Sequence, residues 1–239
     1  MLKALTKSFQ QAFDPAFRRV FFLSLLGSIV TFVALWLISW FALSWLGDVL
    51  GSWLTTTDLW DWLKDFLIWL FGAGAVAGVL VASFLLFPTI MVVVMSFLLE
   101  DIAAAVEARY YPGQPAARKA PIWETVKGAL GLLAITIIVN LVALPFYLIL
   151  LFLTPLNLLL FYAVNGYLLG REYFELVAVR RIDLADSTRL RRSYRFRTLT
   201  AGAIIAVLLT VPLVNLVTPI VATAFMVHIF EDLRRRQAA

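Results

Sequence analysis

No cysteine occurs anywhere in the 239 residues, and there is one histidine, His228. Disulfides, thiolate metal sites and cysteine nucleophiles are therefore excluded, and a lone histidine argues against a zinc or haem centre. Charge is scarce as well. Only 15% of the residues are Asp, Glu, Lys or Arg, whereas 62% are hydrophobic and the mean hydropathy is +0.92. A soluble domain carries roughly a quarter charged residues, so this chain has too little polar surface to cover itself in water and belongs in a bilayer. No G-x-S-x-G, H-E-x-x-H or phosphate-binding glycine loop is present, which removes the common hydrolase signatures and any ATP-driven step on this chain. No enzyme activity and no cofactor are expected.

Four uncharged stretches organise the sequence: residues 20–47, 66–99, 128–170 and 198–230. A single crossing of roughly 30 Å of hydrocarbon takes about 20 residues. The first two stretches, of 28 and 34 residues, each suffice for one spanning helix. The first is far too long for a cleavable signal and is expected to remain as an anchor. Pro88 is expected to kink the second. Between them lies a segment rich in Trp, Thr and Asp, expected as an interfacial loop.

The last two stretches are each broken by two prolines, Pro145 and Pro155 in one, Pro212 and Pro219 in the other. In the last, the arms outside the prolines have 14 and 11 residues. At 1.5 Å per residue these reach about 21 Å and 16 Å, too short to cross. Charge points the same way. Of 20 Lys and Arg, 19 lie in the N-terminal segment, 100–127, 171–197 or the C-terminal tail, and Lys64 alone sits with Asp48, Asp58, Asp61 and Asp65. Basic segments stay cytoplasmic, so an even number of crossings must separate each from the next. The predicted fold is an all-α integral membrane protein of one domain. Residues 1–19 give an interfacial helix and a helix start, two long helices span, and two half-inserted re-entrant hairpins follow at 128–170 and 198–230. Pro145, Pro155 and Asn157 mark one tip, and Pro212, Asn215 and Pro219 the other; both tips are expected to be buried against protein.

Three segments, FDPAFRRVFFLSLLGS (13–28), PLNLLLFYAVNGYLLGREYFELVAVRR (155–181) and TLTAGAIIAVLLTVPLVNLVTPIVATA (198–224), resemble the CysZ-type sulfate permeases, grouped with the etoposide-induced protein 2.4 family. The resemblance implies an all-helical fold with two spanning helices and two half-inserted hairpins. It also implies homo-oligomers in the bacterial inner membrane, with both termini cytoplasmic, and proton-linked sulfate uptake. Family members open the first membrane helix with a sulfate-binding G-L-R-R. Here the matching residues are Ala16, Phe17, Arg18 and Arg19.

The residues themselves support two readings of that stretch. Asp14 and Pro15 suit a helix start, whose free N–H groups and partial positive charge favour an anion, and paired guanidinium forks suit an oxyanion. Yet paired arginines at a membrane boundary also anchor in lipid headgroups, and Ala16 stands where the family has glycine. A second charged set, Glu100, Asp101 and Glu107 with Arg171, Glu172, Glu175, Arg180 and Arg181, either lines a polar pathway or forms ion pairs on interfacial helices. RLRRSYRFR (189–197) suits anionic membrane lipids and argues against nucleic acid as a partner. Leu2, Leu5, Phe9 and Phe13 share one face of an N-terminal interfacial helix, and His228 either assists a proton step or packs between helices. The function this supports is a permease for a small oxyanion, sulfate first. The competing class is a membrane-shaping scaffold without transport.

Overall fold

The computed structural model describes residues 1–11, 14–57 and 60–238, with the side chains of all of these except 84–86, 88–89, 91–93, 96 and 238. The described residues form α-helices joined by turns and by an irregular segment over residues 111–121, with no strand among them. In chain order these are α1 (Leu2–Gln11), α2 (Pro15–Thr55), α3 (Asp61–Ser96), α4 (Leu99–Tyr110), α5 (Ile122–Ile149), α6 (Thr154–Ala178), α7 (Leu184–Ser193), α8 (Arg195–Thr210) and α9 (Val214–Ala238). The protein is an all-α membrane protein. Among the described residues, four helices (α2, α3, α5 and α9) are long and apolar enough to cross a bilayer. The chain divides into two compact units, residues 22–96 and residues 1–21 with 97–239.

The unit of residues 22–96 is an antiparallel pair. Phe32 meets Phe87 edge-on at 5.8 Å, and Gly47 faces Phe71. Its helices extend further than the uncharged stretches do: of the interfacial loop expected over 47–66, residues 47–55 belong to α2 and 61–66 to α3. The physical reason is local. Thr55, Thr56 and Thr57 hydroxyls donate back to the carbonyls of Ser52, Trp53 and Leu54 at 2.7–2.8 Å, closing the end of α2. Asp61 then opens α3, where a carboxylate complements the helix dipole. Trp60 and Trp62 are exposed at this end, as an interfacial aromatic belt requires. Asp58 and the side chain of Pro88, with its expected kink, lie outside the described residues.

The other unit is built around α9, which packs against α1, α4, α6 and α8. Residues 218–231 of α9 are buried almost without interruption. Two helical hairpins are present, α5–α6 and α8–α9. The ends of each return to one place. The backbone N–H of Arg118, before α5, donates to the Arg180 carbonyl, after α6, at 2.8 Å. Arg197 at the start of α8 pairs with Asp232 near the end of α9 at 2.7 Å.

The turns are tighter than the proline spacing suggests. The first occupies residues 150–153, with Pro145 inside α5 and Pro155 in the first turn of α6. The second occupies residues 211–213, with Pro219 buried inside α9. Leu213 supplies the bend at φ 66°, a left-handed conformation that costs a leucine about 1 kcal/mol or more. The expected burial of the tips is corrected within the chain: Phe152 is 90% and Leu213 81% exposed. Local bonding explains why no cover is needed. Leu150, Leu151 and Leu153 N–H groups bond to Phe146, Leu148 and Leu150 carbonyls, and Val211, Val214 and Asn215 close the second turn likewise. A turn that bonds most of its own N–H groups leaves little backbone for a protein cover to satisfy and can present apolar side chains outward.

The hairpins interlock through α6 and α8. A Cβ on Gly202 would lie 1.9 Å from the Gly166 carbonyl oxygen, and one on Gly170 would lie 2.4 Å from that of Thr198. The two backbones are therefore in direct contact, and only glycine fits. Gly166-x-x-x-Gly170 is the small-residue spacing that brings membrane helices together.

Candidate functional site

The first candidate site is the start of α2. Pro15 opens the helix, and its first helical bond runs from the Arg18 N–H to the Asp14 carbonyl at 3.0 Å. The amides of Ala16 and Phe17 therefore precede the helical ladder. Phe17 is 1% exposed and Val20 is buried beside it, which fixes the rotation of the helix and turns Ala16, Arg18 and Arg19 outward to exposure. Neither arginine has an ion-pair partner among the described residues. The Asp14 carboxylate is paired with the Arg109 guanidinium of α4, which offsets the negative charge that would otherwise repel an anion here.

The N-terminal helix approaches this site in an unexpected manner. α1 buries its polar residues Ser8 and Gln11 and exposes Leu2 and Phe9. The apolar face expected of an interfacial helix is present over Leu2, Leu5 and Phe9; Phe13 lies outside the described residues. The polar face docks on α9. In the same region the Tyr111 hydroxyl and His228 Nδ1 share a hydrogen bond of 2.8 Å, and Gln114 donates to the Glu231 carboxylate at 2.8 Å. Burial pushes the Tyr111 phenol up to about 12, and Glu231 adds to the shift. His228 thus packs between Tyr110 and Tyr111 as a bonded side chain of the interior.

The second candidate site is a cavity of about 700 Å³ at the foot of the first hairpin. It brings together Glu100, Glu172, Glu175 and Arg180, four of the eight charges singled out in the sequence, and adds Arg118, Lys119 and Glu124. Its inner wall is apolar, with Leu132, Leu176 and Val179. The remaining charges lie elsewhere. Asp101 is exposed in the first turn of α4. Arg171 pairs with Glu175 at 3.3 Å. Glu107, 5% exposed, accepts from Arg181 at 2.6 Å and from Arg180 at 3.2 Å, and Arg181 also donates to the Pro115 carbonyl. A buried carboxylate flanked by two guanidiniums holds the end of α6 to α4. Removing it would leave two buried cations uncompensated, a loss of about 3 kcal/mol or more.

Sequence reasoning missed Arg118 and Glu124, which pair with each other, although Glu124 carries a legible signal in the first turn of α5. There it also accepts the Leu184 N–H at 2.7 Å and so ties α7 to the hairpin. Tyr111, Gln114 and Glu231 carried no such signal, because their partners lie 117 residues away.

Comparison with known proteins gives one family. The model of the family described as Sulfate transporter CysZ/Etoposide-induced protein 2.4 matches residues 4–219, from α1 to a point inside α9. No individual curated protein matches the chain.

Proposed function

Because the chain belongs to the sulfate transporter CysZ/etoposide-induced protein 2.4 family, we propose that it is a permease for a small oxyanion, sulfate first, and that the anion is received at the start of α2. The observation that carries this reading is the exposed pair Arg18 and Arg19 beside the first amides of a long helix, with Asp14 already neutralised by Arg109. Guanidinium forks and a helix N-terminus together supply directional donors and favourable potential for a tetrahedral dianion. The chemistry is binding and passage without any covalent step. Glu107 with Arg181, and the Arg180 Nη2 that Glu107 also holds, are assigned to bracing rather than to a pathway; the Arg180 Nε is left without an acceptor.

The same proposal places the protein in a bacterial inner membrane with its basic segments cytoplasmic. The second hairpin is half-inserted, because the 13 uncharged residues of α8 from Thr198 to Thr210 reach only about 20 Å. Homo-oligomers and proton linkage, implied by the family resemblance, belong to this proposal too.

Purified protein in liposomes is expected to take up labelled sulfate, and an imposed proton gradient to drive it. The double variant Arg18→Ala with Arg19→Ala should lower sulfate binding by roughly tenfold or more, the scale of losing charge-assisted hydrogen bonds. Flux no greater than in protein-free liposomes would refute the permease reading and leave a membrane-shaping role, which the exposed apolar tips would serve.

A further inference from the structure

The cavity at the foot of the first hairpin is not suited to the anion proposed above. Its wall carries four carboxylates, from Glu100, Glu124, Glu172 and Glu175, against three cations, from Arg118, Lys119 and Arg180. A dianion entering it meets a net negative lining. A simple cation meets two guanidiniums and an ammonium. The lining suits a guest that bears both signs.

Pairing within the wall sharpens this. Glu124 is taken by Arg118 and Glu175 by Arg171. Among the described residues Lys119, Glu100 and Glu172 have no ion-pair partner, and the Arg180 Nε is buried without an acceptor. The wall thus carries two unpaired carboxylates together with an unpaired ammonium and a guanidinium N–H without an acceptor. Its position sets a further condition. The uncharged stretch of the hairpin begins at Gly128, which lines the cavity, and the charges stand at the end where that stretch gives out. This is where headgroups meet acyl chains. The inner wall of Leu132, Leu176 and Val179 is apolar, so the guest is amphiphilic. The volume, about 700 Å³, falls in the range of pockets that enclose a small organic ligand.

We propose that this cavity binds the headgroup of a zwitterionic aminophospholipid, with its phosphate on Lys119 and Arg180 and its ammonium on Glu100 and Glu172. The carboxylates select a primary ammonium, which donates hydrogen bonds, over a quaternary one, which cannot. The site is separate from Arg18 and Arg19, so sulfate binding and lipid binding fail independently.

The test uses the full-length protein in nanodiscs of phosphatidylethanolamine, phosphatidylcholine or phosphatidylglycerol, with lipid retained after detergent extraction counted by mass spectrometry. Phosphatidylethanolamine is expected to be retained about tenfold over the other two, the scale of one charge-assisted hydrogen bond. Glu100→Gln with Glu172→Gln should abolish the preference over phosphatidylcholine, and Lys119→Ala should weaken retention of both. All three side chains are exposed and unpaired, so these variants are expected to fold, and unchanged sulfate binding would confirm it. Equal retention of the three lipids by the unmodified protein, or a preference that survives the double variant, overturns the proposal. Displacement of the lipid by soluble phosphoethanolamine at equal concentration would also overturn it, by assigning the site to a water-soluble zwitterion.

Discussion

The two hairpins share one design, an uncharged stretch broken by two prolines, and meet opposite fates. In the most apolar window of α5 only 6% of residues are buried inside the chain, whereas in that of α9 the share is 78%. The more apolar helix is the one left outside. In water this would be an inversion; in lipid it is the expected order, since hydrocarbon outside is as apolar as leucine inside and burial is decided by packing. α9 carries small and hydroxyl-bearing residues, Ala222, Thr223 and Ala224, that let neighbours close in, and its Thr223 hydroxyl bonds back to the Pro219 carbonyl at 2.9 Å. α5 is a continuous surface of branched apolar side chains whose principal neighbour is α6.

Five substitutions, in two matched pairs and one alone, would break or sharpen this contrast. The largest effect is expected where the hairpins touch. Gly202→Val must push its side chain into the α6 backbone, costing about 3 kcal/mol or more, and little folded protein should survive size-exclusion chromatography. At Gly128 of α5 an added Cβ meets nothing closer than Leu184 at 3.7 Å, so Gly128→Ala should be neutral or stabilise by up to about 1 kcal/mol. Equal losses at the two glycines would contradict the backbone contact. Next in size is the phenylalanine comparison. Phe225→Ala, at a fully buried position, should lower stability by about 3 kcal/mol, while Phe146→Ala, 53% exposed on α5, should stay within roughly 0.5 kcal/mol. A matching loss in thermal unfolding at both sites would mean that α5 is covered after all, as by a second copy. The smallest change is a gain. Leu213→Gly relieves a left-handed leucine with no packing to lose and adds no polar side chain to a lipid-facing tip, and should stabilise the α8–α9 turn by about 1 kcal/mol. An unchanged or lower melting temperature would argue that the leucine is held by lipid contact.

Much of this architecture was legible in the residues. Uncharged stretches became helices, and the grouping of basic residues anticipated hairpins whose ends come together, as Arg197 and Asp232 now do. The glycine crossing was equally legible, since Gly166-x-x-x-Gly170 stands in the sequence, but proline drew attention to the tips instead. Other features had no local signature. Nothing near Leu213 announces a left-handed residue; the position of the bend follows from how α8 and α9 pack, which local proline spacing does not encode. The burial of Ser8 and Gln11 is similar, because a polar face reads as solvent-facing until the fold packs α9 against it. At the candidate anion site the helix start and the outward arginines were readable, whereas the Asp14–Arg109 pair joins residues 95 apart and required the fold.

Where peptide groups of α6 and α8 rest on one another, no side-chain torsion is available to yield. Such a joint behaves as a fixed axle: it resists sliding and twisting, and any change of shape during a working cycle has to be absorbed by looser parts. α5, held mainly along α6, has the least packing to give up, so under the proposed permease function a crosslink from α5 to α6 is expected to slow sulfate flux more than one from α6 to α8.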